Sequence, residues 1–497
     1  MIRALLLGLG LLPFAGLAQS PSASGHTLRL CDDIAGPAGL DPHFSFDNKT
    51  DNILNQIYEG LVRIDAEGRI VPALAARWET VDDRSIRFFL RKEIVFHNGE
   101  AFDSRAVTGS LKRQLSGASP LTGQIAGIEE VRAESGDKVL IRTRQPDALL
   151  LRRLARFARI VPPSMSRNIE PFSPEAAPIG TGPFRFVSWE KGKRLVLAAN
   201  PQSWRGKPFF DRVVFEFIPE DKQIESLLQG DVDVLTEVPG TRTLFVAQVQ
   251  GLRIIKAKTL STHAFWFTSL KGPLADVRVR QALNLAIDKN ELIRYAAMGN
   301  GTAMATLSMA GEVGHNPRLT SYPYDLKKAR RLLKDAGYEK GFKLRLLAVQ
   351  QSERDAKIIK SQLHQIGVEA ELPVVSIADG FRIISEGKLR GYDIHANLAP
   401  DPIGHMGFLA GVCFSSSSPM SAGGVPGFDE RYQRLMQTHA ESEHEKMAED
   451  LDQWIYEQAL GIFTYQRVQT YGVRSRIHLE SQLTGMLDLV NARESTQ

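Results

Sequence analysis

Residues 325–372 read DLKKARRLLKDAGYEKGFKLRLLAVQQSERDAKIIKSQLHQIGVEAEL. Over 325–336 the apolar residues return at helical spacing, and Gly337 ends the run as a residue free to turn left-handed does. Residues 343–349 then form an apolar, strand-length run. The pattern repeats at once: 352–365 as a helix, Gly367 as its stop and 368–372 as a strand. Helix then strand, twice over, predicts an α/β lobe. Upstream, Asp276 is placed to cap a long amphipathic helix with Val279, Leu283, Ala286 and Ile287 on its inner face. Downstream, 429–439 and 443–458 are further helices, so the chain is helix-rich from about Leu270 onward.

The earlier chain has another texture. Residues 27–31 read as a buried strand, and 51–61 put Ile53, Leu54, Ile57, Tyr58 and Leu61 on one helical face. Strands are expected at 62–64, 70–71 and 85–90, a hairpin over 131–142, and a helix from Asp103 through Leu115. From Gly180, 184–189, 194–198, 213–218 and 232–235 read as strands, with a helix at 221–229 stopped by Gly230.

The chain has 497 residues, too many for one hydrophobic core. Its 61 Lys+Arg against 57 Asp+Glu give a net charge of +4, too even for a protein that neutralises nucleic-acid phosphates. Arg3, the apolar run 4–12 and the small residues Gly16 and Ala18 make 1–18 a cleaved secretory signal peptide. No Cys stands at the cleavage point, so the expected product is an exported protein of the periplasm, without a lipid anchor. The 2 cysteines, Cys31 and Cys413, are either bonded in that oxidising compartment or two separate buried thiols.

Enzyme signatures fail in turn. G-x-S-x-G, H-E-x-x-H and the phosphate-binding G-x4-G-K are absent. Gly180-Thr181-Gly182 runs into Pro183 and Phe184, not a glycine-opened helix, so it is no dinucleotide fingerprint. His439, Glu443 and His444 sit one helical turn apart, but amid Glu and Lys they read as a solvated helix face before a metal site. The expectation is a binding protein with no metal and no cofactor.

An ordered set of motifs resembles the family 5 extracellular solute-binding proteins of ABC importers. It comprises Leu40-Asp41-Pro42-His43, Tyr58-Glu59-Gly60-Leu61, Pro72-Ala73-Leu74-Ala75 with Trp78, Phe96-His97-Asn98-Gly99, Gly180-Thr181-Gly182-Pro183-Phe184, Gly230-Asp231-Val232-Asp233, and Asp276 to Leu283 with Ala286-Ile287-Asp288. The resemblance implies a two-lobed periplasmic-binding-protein clamshell of type II, α/β in class, with an additional inserted small domain. The boundaries it suggests are 26–47, 174–268 and 466–497 for lobe I, 48–173 for the inserted domain and 269–465 for lobe II. It implies capture of a small solute, a peptide or a peptide-like or amine-containing molecule, between the lobes. The partners are then an ABC permease and its ATPase, with a monomeric protein meeting the membrane only through the permease. A chaperone, a sensor or an enzyme on the same scaffold is the alternative.

By the same resemblance the ligand contacts are Phe44, Ser45 and Phe46 after the L-D-P-H motif, Trp266 in the linking strand, and His395, Asp401 and His405 in the second lobe. Trp266 would supply a ring face and Asp401 a charge for an amine. Each has a plain alternative: core aromatics, an interior histidine at His395, a turn cap before Pro402 at Asp401. Two departures from the family pattern stand out. Leu398 occupies the place of the aspartate that holds a peptide's ammonium, and Thr268 that of the usual linking Asn. Gly182 is expected at positive φ in a turn, where Val would be strained.

Overall fold

Twice the chain crosses from one half of the molecule to the other, in the antiparallel strands Leu252–Phe267 and Tyr465–Arg474. They form the spine of a 13-stranded sheet. The computed structural model describes residues 25–33, 36–45, 47–173, 176–421 and 423–495; the signal peptide expected at 1–18 and the contact expected at Phe46 lie outside the described residues. On one side, Tyr465–Arg474 pairs with Val234–Leu235, which lies parallel to Thr27–Asp33; Arg212–Phe217, Arg194–Ala199 and Phe184–Glu190 complete that lobe. On the other, Leu252–Phe267 pairs with Ile394–Pro400, then Phe342–Val349 and Val368–Glu371 follow in parallel. The register of the two spine strands slips between Lys258 and Thr262, midway between the lobes.

The helix–strand repeat forms as read. Helices Leu326–Asp335 and Glu353–His364 each precede a strand, and Gly337 and Gly367 take φ of +87° and +81°. The Asp325 carboxylate accepts from the Lys328 amide at 2.8 Å, satisfying a donor that the first turn leaves open. Two elements are shorter than their patterns. The helix begun by Asp276 ends at Leu285, and a second one runs over Lys289–Tyr295. Asp288 divides them, because its side chain accepts from the Asn290 and Glu291 amides and starts a new cap. The helix read over 51–61 is Asn48–Ile57; Tyr58 is already extended, at φ −114° and ψ 150°.

A separate four-stranded sheet, in the order Ala75–Asp82, Ser85–Leu90, Lys138–Thr143, Ile128–Ser135, forms the inserted domain. Helices Ser104–Leu115 and Leu150–Phe157 close its core around Phe88, Leu111, Val139, Ile141 and Leu154. The inserted domain is riveted to the first lobe by the L-D-P-H motif. Arg113, its side chain fully buried, grips both Asp41 oxygens at 3.0 and 2.6 Å and donates to His43 Nδ1 at 2.8 Å. His43 Nε2 then donates to the Arg159 carbonyl at 2.8 Å, and burial pushes its pKa down to about 4.

Gly182 is not in the left-handed region. It is needed for clearance: a Cβ there would meet the Gln56 carbonyl oxygen at 2.5 Å, and one at Gly180 would meet that of Ile57 at 2.0 Å. Cys31 and Cys413 are not bonded to each other; they lie buried in different apolar cores. His444 is not on a solvated face. It is buried, with its ring between His405 Nε2 at 2.7 Å and the Thr438 carbonyl at 2.9 Å, while His439 is exposed.

Candidate functional site

The end of helix Asn48–Ile57 builds the site. Asp51, one turn in, faces inward and binds Arg156 and Arg159, the latter at 2.7 Å. Burial raises the Asp51 carboxyl, but the two guanidiniums outweigh it and hold it below the usual carboxylate range. Arg159 also donates to Asn55 at 2.7 Å. Where the helix stops, Tyr58 and Glu59 follow, both buried. Glu59 accepts from Trp204 Nε1 and Thr181 Oγ1, each at 2.9 Å; both donors are neutral, and burial holds its pKa above the ordinary value.

Asn55, Tyr58 and Glu59 help to wall a cavity of about 90 Å³. The inserted domain adds Arg63, Ala155, Arg156 and Arg159; the first lobe adds Arg205; the C-terminal segment adds Gln482, Thr484 and Asp488; the second lobe reaches in with Pro402. Arg205 pairs with Asp488 at 2.6 Å. The Arg63 side chain has no hydrogen bond or ion pair among the described residues, and its Nε is buried. Burial, then the nearby Arg205 charge, pushes its pKa down.

The second lobe is closed down on the inserted domain. Ile403 enters that domain's apolar core, and the rings of Phe157 and Phe408 stack at 6.5 Å. Arg152 donates to the Ile403 carbonyl at 2.8 Å and to the Gly68 carbonyl at 3.1 Å, and the Ala148 amide donates to the Met436 carbonyl at 3.0 Å. Behind Ile403, Asp401 is fully buried and accepts from the Ile403 and His405 amides at 2.9 and 2.6 Å. Burial, against the pull of the Ile403 amide, brings its pKa up to about 6, and Glu312 beside it is held well above the carboxylate range by burial and by Asp401.

None of the six described residues expected as contacts lines this cavity. Phe44 is half-buried with the Arg113 guanidinium 5.3 Å from its ring, and the Ser45 hydroxyl is buried without a partner. Trp266 is in the second lobe's core and donates to the Met420 carbonyl at 2.9 Å. His395 packs on it with ring centroids 4.6 Å apart, both ring nitrogens without partners, its pKa pushed down to about 4 by burial. Burial and then His444 hold His405 well below the imidazole range. Trp266 and Asp401 therefore do not meet across a common space; Pro402, next to Asp401, is what the second lobe contributes. Arg156 went unread because its helix, Leu150–Phe157, looks by pattern like any basic amphipathic face, and Arg159 lies just past the end of that helix. The signal available was Arg156 and Arg159 at i,i+3 beside an inward-facing Asp51.

The family model described as bacterial extracellular solute-binding proteins, family 5 Middle, matches residues 69–394. Heme-binding protein A of Haemophilus influenzae is 27% identical over 406 residues, covering 75% of this chain and 74% of that one. The dipeptide-binding protein of Escherichia coli is 28% identical over 401 residues, 74% of each chain, and the nickel-binding periplasmic protein of the same organism is 26% identical over 453 residues, 85% of each. Among solved structures, NikA from Brucella suis superposes with a TM-score of 0.84 at 21% identity, covering 94% of this chain and all of that one. HbpA2 from Haemophilus parasuis gives 0.82 at 22%, covering 95% and 100%.

Proposed function

Because the chain belongs to the family 5 bacterial extracellular solute-binding proteins, we propose that it captures its solute in the cavity between Tyr58, the arginines of the inserted domain, Thr484 and Pro402, and presents the closed form to an ABC permease. The observation that carries this site is joint ownership: three separately folded parts each give wall residues to one space. A solute there touches both lobes, so it favours the closed state by its extra affinity for it. The role is binding, not catalysis: the cavity's arginines and acids, Arg63 apart, are engaged with one another or with neutral donors. Export by the 1–18 signal places this event in the periplasm, with a monomer as the working unit. Residues 26–47, 174–268 and 466–497 move as lobe I, together with the inserted 48–173, and 269–465 as lobe II.

The relatives are named for a dipeptide, heme and nickel. For this chain a small peptide or a peptide-like molecule is the reading, with its N-terminal ammonium not the group recognised. Trp266, His395, Asp401 and His405 serve the site at second hand, by holding the turn that presents Pro402; Phe44 and Ser45 do so beside the Arg113 rivet. Native mass spectrometry of protein secreted into the periplasm tests the site. The wild type is expected to carry a small-molecule adduct that Thr484→Trp, which fills the cavity, lacks while keeping its melting temperature. An adduct retained undiminished by the variant places the site elsewhere.

A further inference from the structure

Arg63 stands on the short strand Val62–Ile64 and looks into the cavity from the inserted domain. Its Nε is out of water and without a partner, and among the described residues no carboxylate lies within ion-pair distance of it. Buried donors are nearly always satisfied, so this one lacks a group the described residues do not supply. The neighbouring acids are already engaged. Asp488 holds Arg205, Asp51 holds Arg156 and Arg159, and Asp65 holds Arg69 and the Glu67 and Arg69 amides. Glu59 accepts only from Trp204 and Thr181. The wall therefore has more cationic groups than anionic ones, and two of the cations, Arg63 and Arg205, face one another's charge. Burial holds Glu59 above the ordinary carboxylate range, and the places expected to meet an ammonium do not serve it. Leu398 is half-buried and apolar, and both oxygens of Asp401 are taken by its own turn.

We propose that the solute of this cavity is an anion, a molecule with a free carboxylate held by Arg63 with Arg205 beside it. A planar guanidinium presents paired N–H donors that match the two oxygens of a carboxylate, and a carboxylate between two guanidiniums relieves their repulsion. The space, about 90 Å³, is several times the roughly 10–15 Å³ that suffices on this measure to hold one water, which leaves room for a carboxylate and the atoms attached to it. This inference rests on the cavity being the solute site.

The test is calorimetry and thermal shift on the mature protein with four probes: N-acetyl-alanyl-alanine, its C-terminal amide, glutarate and inorganic phosphate. The two carboxylates are expected to bind and the amide not. Arg63→Gln should weaken carboxylate binding at least tenfold, and Arg63→Lys, which keeps the charge but loses the fork, should fall between. The inference is overturned if the amide binds as tightly as the acid, if Arg63→Gln leaves carboxylate affinity unchanged, if phosphate outcompetes both carboxylates, or if neither carboxylate binds. Thr484→Trp separates the two levels. If the amide binds and this variant abolishes it, the cavity stands and the charge selection falls. If carboxylate binding survives the variant, the cavity reading itself fails.

Discussion

A single methyl group at position 182 should cost the fold more than most core substitutions. Gly182 lies against the last turn of the helix Asn48–Ile57, and its amide donates to the Ile57 carbonyl at 2.9 Å. A Cβ would stand 2.5 Å from the Gln56 oxygen and 2.7 Å from both the carbonyl carbon and the oxygen of Ile57. Those atoms are backbone, so no rotamer change relieves the contact. The Gly182 carbonyl is held on its other side by Asn200 Nδ2 at 3.1 Å and His97 Nε2 at 3.0 Å, which resists a shift away. Overpacking of this kind costs about 1–3 kcal/mol, and losing or bending the amide bond adds about 1 kcal/mol. The expected destabilisation of Gly182→Ala is therefore about 2–4 kcal/mol, read as a shift of the urea midpoint at unchanged slope. Gly180→Ala, with its 2.0 Å approach, should be worse. Gly123→Ala is the control: no atom lies within 4 Å of its Cβ, it is in a short helix, and it should be neutral or slightly stabilising. The Gly182→Ala methyl also presses on the backbone that leads into Tyr58 and Glu59, so solute affinity should fall with stability. A Gly182→Ala protein that unfolds at the wild-type midpoint refutes the steric reasoning.

Four further outcomes are expected. Arg113→Met leaves Asp41 and His43 buried without their partner and should cost about 3–5 kcal/mol by denaturant melts. Arg152→Gln removes charged donors to the Ile403 and Gly68 carbonyls; it should enlarge the radius of gyration in X-ray scattering and weaken solute binding tenfold or more, from about 1.5–3 kcal/mol of closure. Burial raises the Asp452 carboxyl to about 6, so the native state holds a proton that the unfolded chain has released. Its contribution is fully present below about pH 4 and is lost as pH rises to 6; the stability of wild type relative to Asp452→Asn should fall by roughly 2–3 kcal/mol across that range. Burial brings Lys289 down to about 7, its hydrogen bonds among the described residues going to the Met304 carbonyl and the Ser321 hydroxyl. Here the unfolded chain binds the extra proton above pH 7, so wild-type stability relative to Lys289→Met should rise by roughly 2–3 kcal/mol between pH 7 and 9.

Much of the frame was legible because it depends on local signals. Asp103 and Asp276 cap where their position before an apolar run says they should, and Gly337 and Gly367 turn left-handed where the periodicity ends. Asp288 was not legible as a second cap because the apolar pattern continues through Ala286 and Ile287 whether or not the helix does. The site was less readable, for a physical reason. Asp51, Arg63, Arg156, Arg205, Pro402 and Thr484 come from distant parts of the chain, and nothing local distinguishes a cavity arginine from a solvated one. Of the motif residues that drew attention, Asp41 and His43 are buried and hold parts together, while Tyr58 and Glu59 also wall the cavity. A motif can thus mark the joint that positions a site as well as groups that line it.

The Asp41–Arg113 rivet also bears on the order of events in time. Because it fastens the inserted domain to the first lobe through a buried pair, those two parts travel as one jaw. That jaw owns all four arginines of the cavity, whereas the other brings the uncharged Pro402. An arriving anion is attracted and first held by the arginine jaw while the protein is still open, so the association rate should follow the charge of that jaw and fall with ionic strength. The second lobe then shuts over a molecule already seated, and how long it stays depends on the Arg152 clasp and the turn at Pro402. Arrival and residence are thus set by different jaws, and a change in one rate need not alter the other.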